Sequence, residues 1–101
     1  MSTSRTGLRE ALAQSVKVSD NALVVDLMDG RTISVPLAWF PRLARGAPRD
    51  RADWRLIAAG EGIHWPDLDE DISVESLLAG RRSGETQESL LRWLRRRESA
   101  G

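Results

Sequence analysis

The residues of this 101-residue chain best suited to chemistry are its one histidine, His64, and the carboxylate run Asp67-Leu68-Asp69-Glu70-Asp71. An imidazole beside a carboxylate is the usual form of a general base, and Asp67 or Asp69 would be its nearest partners. A hydrolase also needs a nucleophile and oxyanion donors, and no Gly-x-Ser-x-Gly elbow occurs. On a strand carrying Ile63 and Trp65, His64 points to the opposite face, the place of a packed or surface-pairing side chain. The expectation is no enzyme and no catalytic residue. With Asp67 set first in a calcium-loop template, Ile72 and Leu78 fall where glycine and glutamate are required. One histidine and no cysteine exclude two-histidine zinc sites, thiolate sites and disulfides, so no metal or cofactor is expected. Gly60-Glu61-Gly62 lacks the third glycine of a dinucleotide-binding loop.

What remains for the carboxylates is recognition. The chain has fifteen basic and fifteen acidic residues, which excludes a globally cationic nucleic-acid binder. The charge is segregated: residues 61–80 hold Glu61, Asp67, Asp69, Glu70, Asp71 and Glu75 and no lysine or arginine. All cations but Lys17 are arginines, which favour bidentate contacts with carboxylate and phosphate. Arg92, Arg95, Arg96 and Arg97 could meet nucleic acid, or could simply match the dipole of a helix C-terminus. Four tryptophans stand in a chain nearly free of other aromatics. Trp54 and Trp65 suit core packing, whereas Trp39 and Trp93 suit exposed, partner-binding positions.

The elements that must position these groups read as α+β. Residues 16–35 predict a three-stranded antiparallel meander with turns at Asp20-Asn21 and Asp29-Gly30, since Asp-Gly between alternating runs is a strong hairpin signal. Leu23, Val25, Leu27, Ile33 and Val35 would form its buried face. Short helices are expected to cover that face: one from Pro36, one begun or kinked at Pro41, and one from Pro48. Two short strands follow, Trp54–Ala58 and Ile63–Trp65. Ser73 predicts an N-cap and Gly80 the stop of the next helix, with Ile72 packing on Leu77. Arg81–Gly84 reads as a hinge. Glu85–Arg97 predicts an amphipathic helix with the stripe Leu90, Leu91 and Leu94 and with Trp93 on its flank. Leu8 and Leu12 are spaced for a helix. The resulting division is an N-terminal extension, 1–13, a single α+β domain, 14–80, and a hinge with C-terminal helix, 81–101. No apolar run is long enough to span a bilayer and no signal sequence is present, so a cytoplasmic protein is expected.

Two strings are distinctive: Val35-Pro36-Leu37-Ala38-Trp39-Phe40-Pro41-Arg42-Leu43, and Gly62-Ile63-His64-Trp65-Pro66 continuing through Asp67–Asp71 to Gly80. Over residues 14–80 the chain resembles a family of small bacterial proteins, domain of unknown function twenty-four forty-two. Some members are suspected antitoxins of toxin–antitoxin pairs, and others carry an added helix-turn-helix domain. The resemblance implies a compact α+β domain without established catalysis that acts through partners. One tail helix after residue 80 is not a helix-turn-helix, which weakens direct DNA reading. The expectation is a protein-binding module for a small toxin-like partner, with a homodimer as a further form. Its contacts would be Trp39, Asp67, Asp69, Glu70, Asp71, Leu90, Trp93 and Leu94. The alternative is a dimeric DNA-binding autoregulator using Arg92, Arg95, Arg96 and Arg97.

Overall fold

The computed structural model describes residues 11–100. The expected helical spacing of Leu8 falls outside them, as does most of the N-terminal extension. The meander forms as expected: β1 (Ala13–Val18), β2 (Ala22–Leu27) and β3 (Thr32–Pro36) pair antiparallel in that order. Its first turn is closed by Ser19, whose hydroxyl accepts from the Ala22 amide at 3.0 Å. In the second, Gly30 takes φ +95° and the Asp29 carboxylate accepts from the Arg31 amide at 3.0 Å. Leu23, Val25, Leu27 and Val35 are buried, and Ile33 packs half-buried against them. Period-two alternation thus becomes one apolar face.

Prolines then set the covering turns. Pro36 closes β3 rather than opening a helix, because the Leu37 amide donates back to the Asn21 carbonyl at 2.9 Å and starts a 3-10 turn, Leu37–Trp39. Pro41 and Pro48 each sit at the first position of a short helix, α1 (Pro41–Ala44) and α2 (Pro48–Ala52), where a missing N–H costs nothing. Arg51 binds these pieces together from inside. It is 8% exposed, donates to the Leu43 and Ala44 carbonyls at the end of α1, each at 2.9 Å, and reaches Asp20 in the first hairpin turn at 2.8 Å.

The second sheet corrects the sequence reading. It has three strands, β4 (Arg55–Ile57), β5 (Gly62–Trp65) and β6 (Glu70–Ser73), paired antiparallel in that order. The acidic run is therefore not a loop before a helix. It turns through a 3-10 piece, Pro66–Leu68, and through Asp69 at φ +52°, and then returns as β6. Pairing with β5 specifies this strand, since only Ile72 of its four side chains is buried. Trp65 is fully buried and its indole N–H donates to the Arg51 carbonyl at 3.0 Å. Both sheets share one apolar core with Leu37, Phe40, Leu43 and Leu68.

The helix α3 (Val74–Leu78) begins as predicted, with the Ser73 hydroxyl accepting from the Ser76 amide at 3.1 Å, and Gly80 follows at φ +71°. The last helix, α4 (Gln87–Ala100), starts later than the expected Glu85, because Thr86 takes the cap and accepts from the Ser89 amide at 3.0 Å. The predicted hinge is pinned: the Ser83 amide donates to the Trp39 carbonyl at 3.0 Å, and the Arg82 guanidinium lies 4.9 Å from the Trp39 ring centre. No described helix is long and apolar enough to cross a membrane.

Candidate functional site

Most of the contacts expected for a partner are instead made within the chain. Trp93 is 3% exposed, not a surface residue, because Arg42 and Arg97 stack on its ring with guanidinium carbons 5.3 and 4.8 Å from the centre. Leu90 and Leu94 lie half-buried beside it against the core, and Trp39 is half-buried under Arg82. Arg42 grips Glu85 with both ends of its fork, Nη2 to Oε2 at 3.1 Å, and donates through Nη1 to the Asp69 carbonyl at 2.8 Å. The Arg42 hydrogen bonds hold the Glu85 carboxyl below the usual carboxylate range, and Glu85 in turn raises Arg42. Arg97, one of the four arginines considered for nucleic acid, is turned inward to the Asp67 carbonyl and to Asp50 at 3.4 Å. Arg92, Arg95 and Arg96 remain exposed.

The acidic run splits by environment. Asp67 and Asp69 keep exposed side chains. Asp71 pairs with Nδ1 of His64 across the β5–β6 ladder, so the histidine's carboxylate partner is Asp71 rather than Asp67 or Asp69. Glu70 points inward: one oxygen, Oε2, is buried without a hydrogen-bond partner, and burial pushes its pKa up to about 7. Among the described residues no three histidine, aspartate or glutamate side chains converge as metal ligands.

A surface that sequence reasoning missed lies at the other end of the second sheet. A groove of about 640 Å³ runs between Leu12, the Ile57–Ala59 turn and α3, with Leu78 on its lip. Its walls are chiefly apolar, and Ile57 and Leu78 are 41% and 45% exposed. Glu61 and Glu75 stand on the rim, exposed and free of ion pairs among the described residues. The turn itself is strained. Ala58 and Ala59 both take left-handed φ, +50° and +57°, ahead of Gly60 at +99°. Such conformations cost an alanine on the order of 1–2 kcal/mol each and are concentrated at functional sites. Gly60 is required here, since a Cβ would lie 2.9 Å from the Ala13 carbonyl oxygen. Nothing in the sequence signalled it: Leu77-Leu78 does not tell which leucine is buried, and the Ala-Ala-Gly turn carries no left-handed propensity.

Residues 13–83 match the model of a family described as a protein of unknown function, DUF2442. The chain belongs to the DUF2442 family. The resemblance carried by the two strings is thereby shown, and α4 lies beyond the matched domain. A crystal structure of a protein of unknown function from Rhodospirillum rubrum is similar at 26% identity and TM-score 0.62, over 76% of this chain and 93% of that one. The solution structure of the uncharacterized protein CV0863 from Chromobacterium violaceum shares the fold at 22% identity and TM-score 0.63, over 82% of this chain and 81% of that one. No curated protein matches the chain. The DUF2442 domain thus contributes the strained turn, the His64–Asp71 pair and most of the groove's lining, and α4 packs on it through Trp93 against Arg42 and Arg97 to Asp50.

Proposed function

We propose that this DUF2442 protein is a non-enzymatic, cytoplasmic binding module that captures a small cognate protein as an antitoxin holds its toxin. The observation that supports this is the apolar groove with Glu61 and Glu75 on its rim. Its occupant is a basic, amphipathic segment of the partner: apolar side chains fill the walls while cations meet the two unpaired carboxylates. A toxin that acts on RNA or nucleotides carries such a basic surface, and covering it would silence it. The expected contact surface moves accordingly, away from Trp93, Leu90 and Leu94, which the chain uses for itself.

Calorimetric titration of the full chain with the product of the adjacent gene tests the proposal. Micromolar or tighter binding is expected, weakened about tenfold or more by Leu78→Glu, which plants a charge on the apolar lip. No binding, or binding that Leu78→Glu leaves untouched, contradicts it. One observation favours a second reading. Arg92, Arg95 and Arg96 are exposed and make no ion pair among the described residues, as a dimeric DNA-binding autoregulator would need. That reading predicts promoter binding that falls steeply with salt and is lost when the three arginines are neutralised.

A further inference from the structure

We infer that α4 is a detachable strap: it undocks as a unit from a DUF2442 domain that stays folded. Three observations carry this beyond the groove. The family match ends at residue 83, so both sheets and every buried core residue but Trp93 precede the helix. The α4 backbone makes no hydrogen bond to the domain among the described residues; beyond its own ladder, the Ser89 and Leu90 amides donate only to Thr86 at its own start. The contacts that hold it are side-chain contacts centred on one buried tryptophan, on whose ring Arg42 of the domain and Arg97 of the helix both stack. Arg42 reaches up from α1 to Glu85, and Arg97 reaches down to Asp50 and Asp67.

The chemistry of these ties makes the strap releasable. The ties partly open to solvent, Arg97 to Asp50 and Arg42 to Asp69, weaken as ions screen them, whereas the enclosed Arg42–Glu85 pair is screened less and the backbone ladders of the sheets do not depend on charge. A free helix of this length is marginal in water, so α4 would lose its hydrogen-bonded protection on leaving its seat. Release would uncover Arg42 and the stripe Leu90, Trp93 and Leu94 together, beside the already exposed Asp67 and Asp69. These are the surfaces whose composition suited a partner, held against each other in the docked state.

Hydrogen exchange of the full-length protein, resolved by segment, tests this. Amides of α4 should exchange faster than those of β2 and β5, and about tenfold faster again when salt is raised from ~50 mM to ~500 mM. Glu85→Gln, which removes one charged tie outside the helix and leaves the core intact, should mimic the salt effect while β2 and β5 stay protected. Exchange of α4 in step with β2 and β5 would make the helix an integral part of one cooperative unit and overturn the proposal. Faster exchange of α4 that neither salt nor Glu85→Gln changes would overturn the electrostatic latch on which it rests.

Discussion

The two sheets of this domain are built in opposite ways. In the first, every second residue of β2 is buried, the turns are closed by aspartate, serine and a glycine with open space around it, and Met28 is the one large apolar side chain left exposed among the described residues. In the second, all three residues of β4 are exposed, the following turn holds two alanines in left-handed conformations, and an inward carboxyl oxygen lacks a partner. Both sheets feed one core, but the left-handed alanines and the exposed apolar cluster of Leu56, Ile57 and Leu78 fall on the second. On the proposed reading recognition falls to the groove side, where strain and clustered exposed apolar groups coincide.

Truncating the same kind of side chain in both regions probes that division most strongly. Leu23→Ala, at a fully buried position, should cost about 2–5 kcal/mol in denaturant unfolding, and Leu78→Ala, on the groove lip, within about 0.5 kcal/mol. Equal costs would erase the distinction. Two glycines give the next largest effect. Gly30 and Gly60 have nearly the same φ, +95° and +99°, but only the second has a backbone oxygen where a Cβ would go. Gly30→Ala should cost about 1–2 kcal/mol for the left-handed backbone alone. Gly60→Ala should cost about 3 kcal/mol, because steric overlap with Ala13 adds to the same backbone strain.

The smallest expected effect is a pH dependence confined to the second sheet. Glu70 is raised to about 7 by burial, with Glu85 and Asp71 adding repulsion and Arg42 opposing it. A carboxyl whose folded pKa lies above its unfolded value of 4.5 stabilises the fold while protonated. That contribution is fully present below pH ~4.5 and is lost as pH rises through about 7. Between pH 5 and pH 8 the protein should therefore lose stability, by about 1 kcal/mol once solvent screening is allowed for. Glu70→Gln should flatten this part of the profile, and an unchanged profile would show that Glu70 is more solvated than its position suggests.

Legibility in the sequence follows the same division. Asp29-Gly30, Ser19, Pro41, Pro48 and Ser73 act through their own neighbours, so each could be read from its type and place. Strand β6 could not, because Glu70, Asp71 and Ser73 hide the single buried Ile72 and only the partner strand β5 makes the segment extended. The inward turn of Trp93 depends on Arg42, far away in sequence, and the sealing of α1 depends on Arg51 reaching back to Leu43 and Asp20. The groove was illegible because its shape comes from left-handed alanines, which no propensity anticipates.

On the proposed reading, recognition takes place in the acid-rimmed groove. Its most direct test is an amide chemical-shift map of the isotopically labelled full chain, titrated with the product of the adjacent gene. The shifts should cluster at Ile57–Glu61 and Val74–Leu78 while β1–β3 stay still. Shifts confined to α4 around Arg92, Arg95 and Arg96, with the groove silent, would contradict it.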